Sequence, residues 1–296
     1  MTKLLKAVRR RFHITLIYAV LSILALLFAA PVIVIFTNSF MGEFEIINRF
    51  SQTVRPGNIL ASRDGLHFVR FTLIPDNVSL EQYYNLLLGT PAFLEHFWNS
   101  VALALPIVLG QVLISAPAAY AFEMSGFRHK EKIYFIYIVI MLLPLQVTLV
   151  PNFIMADWLG LLETRASVIL PAALNPFGVF IMRQYLRGLP REYIEAAQLD
   201  GASQIRIIFT VVMPIFKPAL AALIILTFVN NWNIVEQAII FLTEAQTPLS
   251  VYLAGMADRN LEIIFAASFF YLLPPLLMFM YFKEHLIEGI SLSGIR

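Results

Sequence analysis

Stretches of mostly apolar residues recur along the whole chain, each about 20 residues long, which is what a helix needs to cross the hydrocarbon core of a bilayer. Six of them occupy residues 14–36, 99–124, 133–156, 166–186, 213–242 and 263–282. Of the 296 residues 59% are hydrophobic and 14% are charged, against about 25% charged in a typical soluble domain. One soluble core cannot hide that much apolar surface, whereas lipid tails are as apolar as the side chains. The expectation is an all-α polytopic membrane protein of six transmembrane helices with no soluble catalytic domain attached. Arg9, Arg10 and Arg11 precede the first stretch as they would in a signal peptide. That stretch outruns an h-region of about 7–15 residues and no small-residue cleavage site follows, so it reads as a retained anchor. The chain has no cysteine, which excludes disulfides, thiolate metal sites and cysteine nucleophiles. His13, His67, His96, His129 and His285 are scattered and make no metal constellation.

Six crossings put both ends of the chain on one side. That side carries Lys3, Lys6, Arg9, Arg10, Arg11, Arg128, Lys130, Lys132, Arg183, Arg187, Arg191, Arg206, Lys217, Lys283 and Arg296. The other carries only Arg49, Arg55, Arg63, Arg70, Arg165 and Arg259. Basic residues accumulate in cytoplasmic loops, so the expected location is the cell membrane with both termini cytoplasmic. Residues 1–13 then form a cytoplasmic segment, 37–97 a long extracytoplasmic loop and 99–296 the core, with a cytoplasmic segment at 189–210. Within the outer loop, 54–58 and 62–65 carry turn chemistry. Residues 66–73 alternate like a short strand. Residues 79–87 predict an amphipathic helix with Ser79 as N-cap and Gln82 three residues on.

Residues 189–203 are the most informative. Pro190 suits the first turn of a helix, Arg191 to Leu199 are mostly good helix formers, and Gly201 supplies the left-handed turn that stops it. Ile205, Ile207, Ile208 and Phe209 open a second apolar helix, and Pro214 marks entry into the fifth span. Composition alone is consistent with a helix lying at the headgroups. Ala196 and Ala197 leave the backbone open to close approach, while Glu195 and Asp200 offer carboxylates to basic groups. The spaced pattern Glu195-Ala196-Ala197, Gly201, Val211-Val212-Met213-Pro214 resembles the EAA loop of ABC-importer permeases, whose usual ending is Ile-x-Leu-Pro. Residues 74–83, Phe97-Trp98-Asn99-Ser100, Ala119-Tyr120-Ala121-Phe122, Asn231-Trp232-Asn233 and Glu288-Gly289-Ile290 are similar to the carbohydrate-uptake, maltose-type group. Glu236-Gln237, Lys283-Glu284 and the ending Ser293-Gly294-Ile295-Arg296 depart from it.

The resemblance implies a MetI-like ABC permease fold and a sugar or oligosaccharide substrate. It implies that Glu195, Ala196, Ala197, Asp200 and Gly201 couple the spans to a separate ATPase, with Glu195 paired to a basic residue there. The implied partners are a second permease, two ATP-binding cassette subunits and an extracytoplasmic solute-binding protein. This chain would bind no cofactor, ATP and Mg residing on the partners, and no nucleic acid.

Polar side chains at mid-membrane are costly and tend to face a wet interior. Asn230, Asn231, Trp232, Asn233, Glu236 and Gln237 gather in the fifth span. Amides and an indole face suit a neutral sugar, and interhelical hydrogen bonding explains the amides equally well. Gln146 and Asn175 read as helix–helix contacts, and Pro144, Pro171, Pro176, Pro274 and Pro275 as kinks. Gln246, Thr247, Pro248 and Leu249 resemble the segment that, in maltose-type permeases, reaches into the docked binding protein; a plain surface connection is the other reading. The main alternative function is an ion-gradient-driven secondary transporter. Such proteins show buried carboxylates and repeated halves, whereas here only Glu236 approaches mid-span. A membrane enzyme would need a nucleophile–base pair or a metal motif such as His-Glu-x-x-His; neither occurs. No glycine is followed by lysine, so a Walker A loop is absent and ATP must be hydrolysed elsewhere.

Overall fold

A computed structural model describes residues 2–54, 74–256 and 261–293, and the regular elements among them are all helical. In chain order they are α1 Thr2–Asn38, α2 Glu43–Val54, α3 Glu81–Tyr84, α4 Ala92–Met124, α5 Lys130–Met141, α6 Leu145–Trp158, α7 Ala166–Ala173 and α8 Pro176–Leu186. They continue as α9 Glu192–Leu199, α10 Gln204–Ile207, α11 Met213–Ile215, α12 Lys217–Trp232, α13 Glu236–Phe241, α14 Leu249–Met256 and α15 Ile264–Ser293. The strand expected at 66–73, and most of the turns before it, lie outside the described residues.

Four stretches are long and apolar enough to cross a bilayer: His13–Asn38, Ala92–Met124, Ala166–Leu186, which comprises α7 and α8, and Ile264–His285. The remaining candidates are bent pairs, α5 with α6 at 105° and Gln204–Ile215 with α12 at 84°. Six crossings are reached only if each bent pair counts as one. The spans expected at 133–156 and 213–242 are thus each broken into two helices, the first at the kink expected at Pro144. Proline is the physical reason in both. Pro144 takes an extended conformation (φ −59°, ψ 145°) and starts a new helix as the N-cap of α6. Pro218 sits in the first turn of α12, where its missing N–H costs nothing. A further break at Asn233–Val235 separates α12 from α13. By contrast, Pro274 and Pro275 stay within the continuous α15.

The chain forms two compact units, Met1–Pro91 with Gly255–Tyr271, and Ala92–Ala254 with Leu272–Arg296. In the first, none of the most apolar 18-residue window of the His13–Asn38 part of α1 is buried. Its end is tied down instead. Gln82, 1% exposed, donates to the carbonyls of Asn38 at 2.7 Å and Met41 at 2.8 Å and accepts from the Ala266 amide at 3.2 Å. The capping role expected for Gln82 is thus corrected: Leu80 holds the N-cap position, and Ser79 Oγ accepts from the Glu81 amide at 3.1 Å. The unforeseen α2 begins with Glu43 and Glu45, carboxylates that complement a helix N-terminus. Glu45 accepts from the Asp76 and Asn77 amides, and Arg49 pairs with Glu45 and Asp76.

The second unit is built around α4, which packs on α7, α8 and α12. Small residues let these helices approach closely, as they must where no hydrophobic effect drives association. A Cβ on Gly110 would sit 2.8 Å from Ala173 Cβ, and one on Gly178 only 2.2 Å from Ser115 Oγ. A cluster including Ala119, Tyr120, Met182, Leu186, Ile194, Ile207 and Leu223 fills the end that carries α9. A second, around Leu103, Ile107, Val168 and Phe241, fills the opposite end.

Candidate functional site

Helix α9 stands out from the second unit on a capped turn. Asp200 closes the helix, Gly201 follows at φ +75°, and Ala202 leads out. The Gly201 amide donates to Gln198 O at 3.0 Å and the Ala202 amide to Ala197 O at 3.0 Å. This pair of bonds is the Schellman motif, which needs a residue tolerant of positive φ at the glycine position. Ser203 then caps α10, its Oγ accepting from the Arg206 amide.

Ile194 is buried, and Ala197 and Ala202 pack against the core. Of the residues expected to meet a partner, Glu195, Ala196, Asp200 and Gly201 are exposed. Ala197 is half-buried and packs against the core. The exposed apolar side chains are instead Tyr193, Ile205 and above all Leu199, 90% exposed at the tip of α9. Leu199 escaped the sequence reading, although it lies off the Ile194–Ala197 face and so had no core to enter. Beneath α9 is a small cleft of 180 Å³, with Arg191, Glu195 and Gln198 on one wall and Tyr120, Met124 and Ser125 on the other.

Nine residues before the start of α9 lies a buried charge centre, read from the sequence only as a loop charge. Arg183, on α8, is 1% exposed. Its Nε donates to Glu123 at 2.9 Å, its Nη2 donates to Glu131 at 2.6 Å, and its guanidinium carbon lies 3.9 Å from the Tyr134 ring centroid. Arg187 adds a longer pair with Glu123 at 3.6 Å. A charge three residues inside an apolar helix end, with two acidic residues at the neighbouring helix ends, was the signal available.

Mid-unit, the broken helices surround a cavity of 630 Å³. The end of α5 (Tyr137, Ile140, Met141), the start of α6 (Leu145, Thr148), and the α7–α8 break (Leu174, Asn175, Phe177) all line it. Its polar groups are the side chains of Gln111, Tyr137, Thr148, Asn152, Asn175, Thr227, Asn230, Asn231 and Gln237, and among the described residues no Asp, Glu, Lys, Arg or His lines it. Several of these are already tethered. Gln111 donates to Asn175 O at 3.2 Å and accepts from Thr227 at 2.8 Å, Asn175 Oδ1 caps the Phe177 amide at 2.9 Å, and Asn231 donates to Thr227 O at 2.8 Å. Gln111 thereby ties α4 to the α7–α8 break.

The six residues singled out in the fifth span divide. Asn230, Asn231 and Gln237 face the cavity. Trp232 does not: it is fully buried, stacked on Phe228 at 5.4 Å and edge-on to Phe97 at 5.7 Å. It offers no ring face to a solute, which corrects that expectation. Asn233 is off the cavity and donates to Val229 O. Glu236 opens α13 and accepts from Gln146, at 3.3 Å for the nearer oxygen.

At the other end of the unit, α4 grips the loop before α14. Asn99 donates to Ala245 O at 2.9 Å and Thr247 O at 3.2 Å and accepts from Arg165 at 2.8 Å. His96 Nδ1 lies 2.8 Å from Thr247 O and its ring stacks on Tyr252; burial raises the Tyr252 phenol above its ordinary pKa. Ser100 Oγ accepts from the Leu249 amide at 2.8 Å. Pro248 and Leu249 are buried and Gln246 and Thr247 half-buried, so the expected reach of Pro248 and Leu249 towards a docked protein is corrected. Glu244 and Ala245 are the exposed residues of this loop. Replacing Asn99 with alanine strips three bonds and leaves Arg165 without that acceptor, at about 1–3 kcal/mol for the groups left unpaired. The expected result is faster proteolysis within 243–249, read by limited digestion of the purified protein.

Comparison with known proteins places this geometry in context. The family described as binding-protein-dependent transport system inner membrane component matches residues 111–290, more than half of the chain. The arabinooligosaccharides transport system permease protein AraQ of Halalkalibacterium halodurans is 28% identical over 264 residues, covering 87% of this chain and 92% of that one. The sn-glycerol-3-phosphate transport system permease protein UgpE of Shigella flexneri is 26% identical over 239 residues, covering 77% and 85%. Among solved structures, a bacterial ABC transporter involved in the import of the acidic polysaccharide alginate superposes with a TM-score of 0.76, at 23% identity, over 93% of this chain and 96% of that one. That likeness establishes the shared fold.

Proposed function

This chain belongs to the family of binding-protein-dependent transport inner-membrane components, and from that premise we propose that it is one of two permease subunits of an ATP-driven importer for a neutral oligosaccharide. The observation that carries the proposal is the capped α9 turn, which holds Leu199, Glu195 and Asp200 outward on a rigid base. A helix that buries Ile194 and half-buries Ala197 yet leaves a leucine 90% exposed presents an anchor for another protein, since interface energy concentrates in a few apolar or aromatic side chains. The partner is a nucleotide-hydrolysing subunit, because this chain lacks a Walker A loop. Both termini and α9 then face the cytoplasm, in keeping with the distribution of lysine and arginine.

The cavity supports the solute class. Amides and hydroxyls recognise sugar hydroxyls as donors and acceptors, and Tyr137 and Phe177, which also line the cavity, provide apolar faces. An acidic polysaccharide or a phosphate ester would find no compensating cation on this wall. In the proposed cycle, an extracytoplasmic binding protein delivers the sugar. ATP-driven closure of two ATPase subunits displaces α9, opening the path outward, and hydrolysis returns it.

The test is reconstitution with the ATPase, the second permease and the binding protein. Uptake of a neutral oligosaccharide that needs ATP and persists when ion gradients are collapsed supports the proposal; uptake that follows an ion gradient without ATP overturns it. Leu199→Asp is expected to cost the ATPase contact about 2 kcal/mol, as loss of an interface anchor does. The co-purified ATPase then drops while the amount of inserted permease is unchanged.

A further inference from the structure

We infer that Arg183 is a positioning residue of the transport cycle, the joint through which displacement of α9 reaches both walls of the cavity. The inference rests on the ATP-coupled reading above. Arg183 binds three elements at once: its own helix α8, Glu123 at the end of α4, and Glu131 at the start of α5, with Tyr134 of α5 beneath its guanidinium. Burial makes the Glu123 arm of this joint firm, because a guanidinium in the interior cannot drop its last carboxylate without leaving an uncompensated charge.

Position gives the joint its role. On one side, α8 ends at Leu186 and the chain enters α9 at Glu192, so movement of α9 is felt first at the end of α8. On the other side, both helices that Arg183 clamps lead to the cavity. Helix α8 starts there with Pro176 and Phe177, and α5 finishes there with Tyr137, Ile140 and Met141. Tyr137 lies one helical turn beyond Tyr134, so the ring under the guanidinium and the ring at the cavity share one face of α5.

The two carboxylate arms differ. The Glu123 side chain is 19% exposed and that of Glu131 is 63% exposed. Water competes for Glu131 far more than for Glu123, so the α5 arm is the one that yields and re-forms. A fixed arm to α4 and a releasable arm to α5 let α8 pull on one wall and free the other. Lysine cannot replace this arrangement, because a point charge lacks the planar fork that reaches two carboxylates.

The experiment uses the complete importer, reconstituted with its own binding protein, and reads solute molecules moved per ATP hydrolysed. Arg183→Lys and Glu131→Gln are expected to lower that ratio by about fivefold or more, the lower range of measured coupling factors, while the folded, assembled complex is recovered at the unaltered level. Glu131→Gln keeps a side-chain acceptor at a largely exposed position and guards against simple misfolding. A purely structural Arg183 would lower recovery or thermal stability and leave the ratio in the surviving complexes unchanged. An unchanged ratio in both variants overturns the inference and leaves the transport reading standing. Absence of ATP-dependent uptake by the unaltered complex overturns both.

Discussion

Replacing Gly201 with valine is expected to leave the chain inserted in the membrane and to remove most of its transport. Gly201 sits at φ +75°, in the left-handed region that costs an L-residue about 1–2 kcal/mol and a β-branched one more. Nothing lies within 4 Å of a Cβ placed there, so the penalty is one of backbone conformation and not of space. The strained turn gives up the two bonds from Gly201 and Ala202 back to Gln198 and Ala197, and α9 is no longer held at its present angle. Since about 1.4 kcal/mol is tenfold in an equilibrium, ATPase docking and binding-protein-stimulated hydrolysis should fall about tenfold or more. Gly201→Asn is the control, because asparagine visits the left-handed region more readily than other side chains; it should retain most activity. Normal uptake by the valine variant would show that the turn is not part of the coupling.

Gly178→Val acts at the opposite extreme, on assembly of the helices. A Cβ on Gly178 would lie 2.2 Å from Ser115 Oγ and 3.0 Å from both Ser115 Cβ and Gln111 Cγ. The serine is itself 1% exposed and has little room to retreat. Overfilling a packed interior costs about 1–3 kcal/mol and occasionally more, and valine adds two methyls beyond the clashing Cβ. Separation of α8 from α4 would also strain the Gln111 bonds to Asn175 and Thr227. The expected outcome is a severe drop in recovered protein and in its melting temperature in detergent. The milder Gly178→Ala should be partly restored by Ser115→Gly, which removes two of the three close contacts. Failure of that rescue would place the cost elsewhere.

The α9 turn was legible because its chemistry is local. A proline at a helix start and a glycine three residues after Gln198 impose capping geometry whatever surrounds them. The membrane class was legible because it depends on composition summed over long windows. What escaped depends on contacts between distant residues. The inward facing of Trp232 follows from Phe97 and Phe228 closing over it, and no periodicity within 213–242 marks it. Gln82 looked like a capping residue by spacing, yet its partners are Asn38, Met41 and Ala266. The sharp bends were half visible: Pro144 and Pro176 were read as kinks, but the 105° turn between α5 and α6 also needs three residues, Leu142 to Pro144, to leave the helix together. Arg183 was counted as a loop charge because span ends are blurred at the scale of one helical turn, the scale that decides whether it meets water or Glu123.

The His13–Asn38 part of α1, whose apolar window is unburied within this chain, answers to a length of apolar surface, so exchanging leucine, isoleucine, valine and phenylalanine there should be tolerated by insertion into a bilayer. Where Gly178 meets Ser115 the demand is on shape, and a single added carbon is refused.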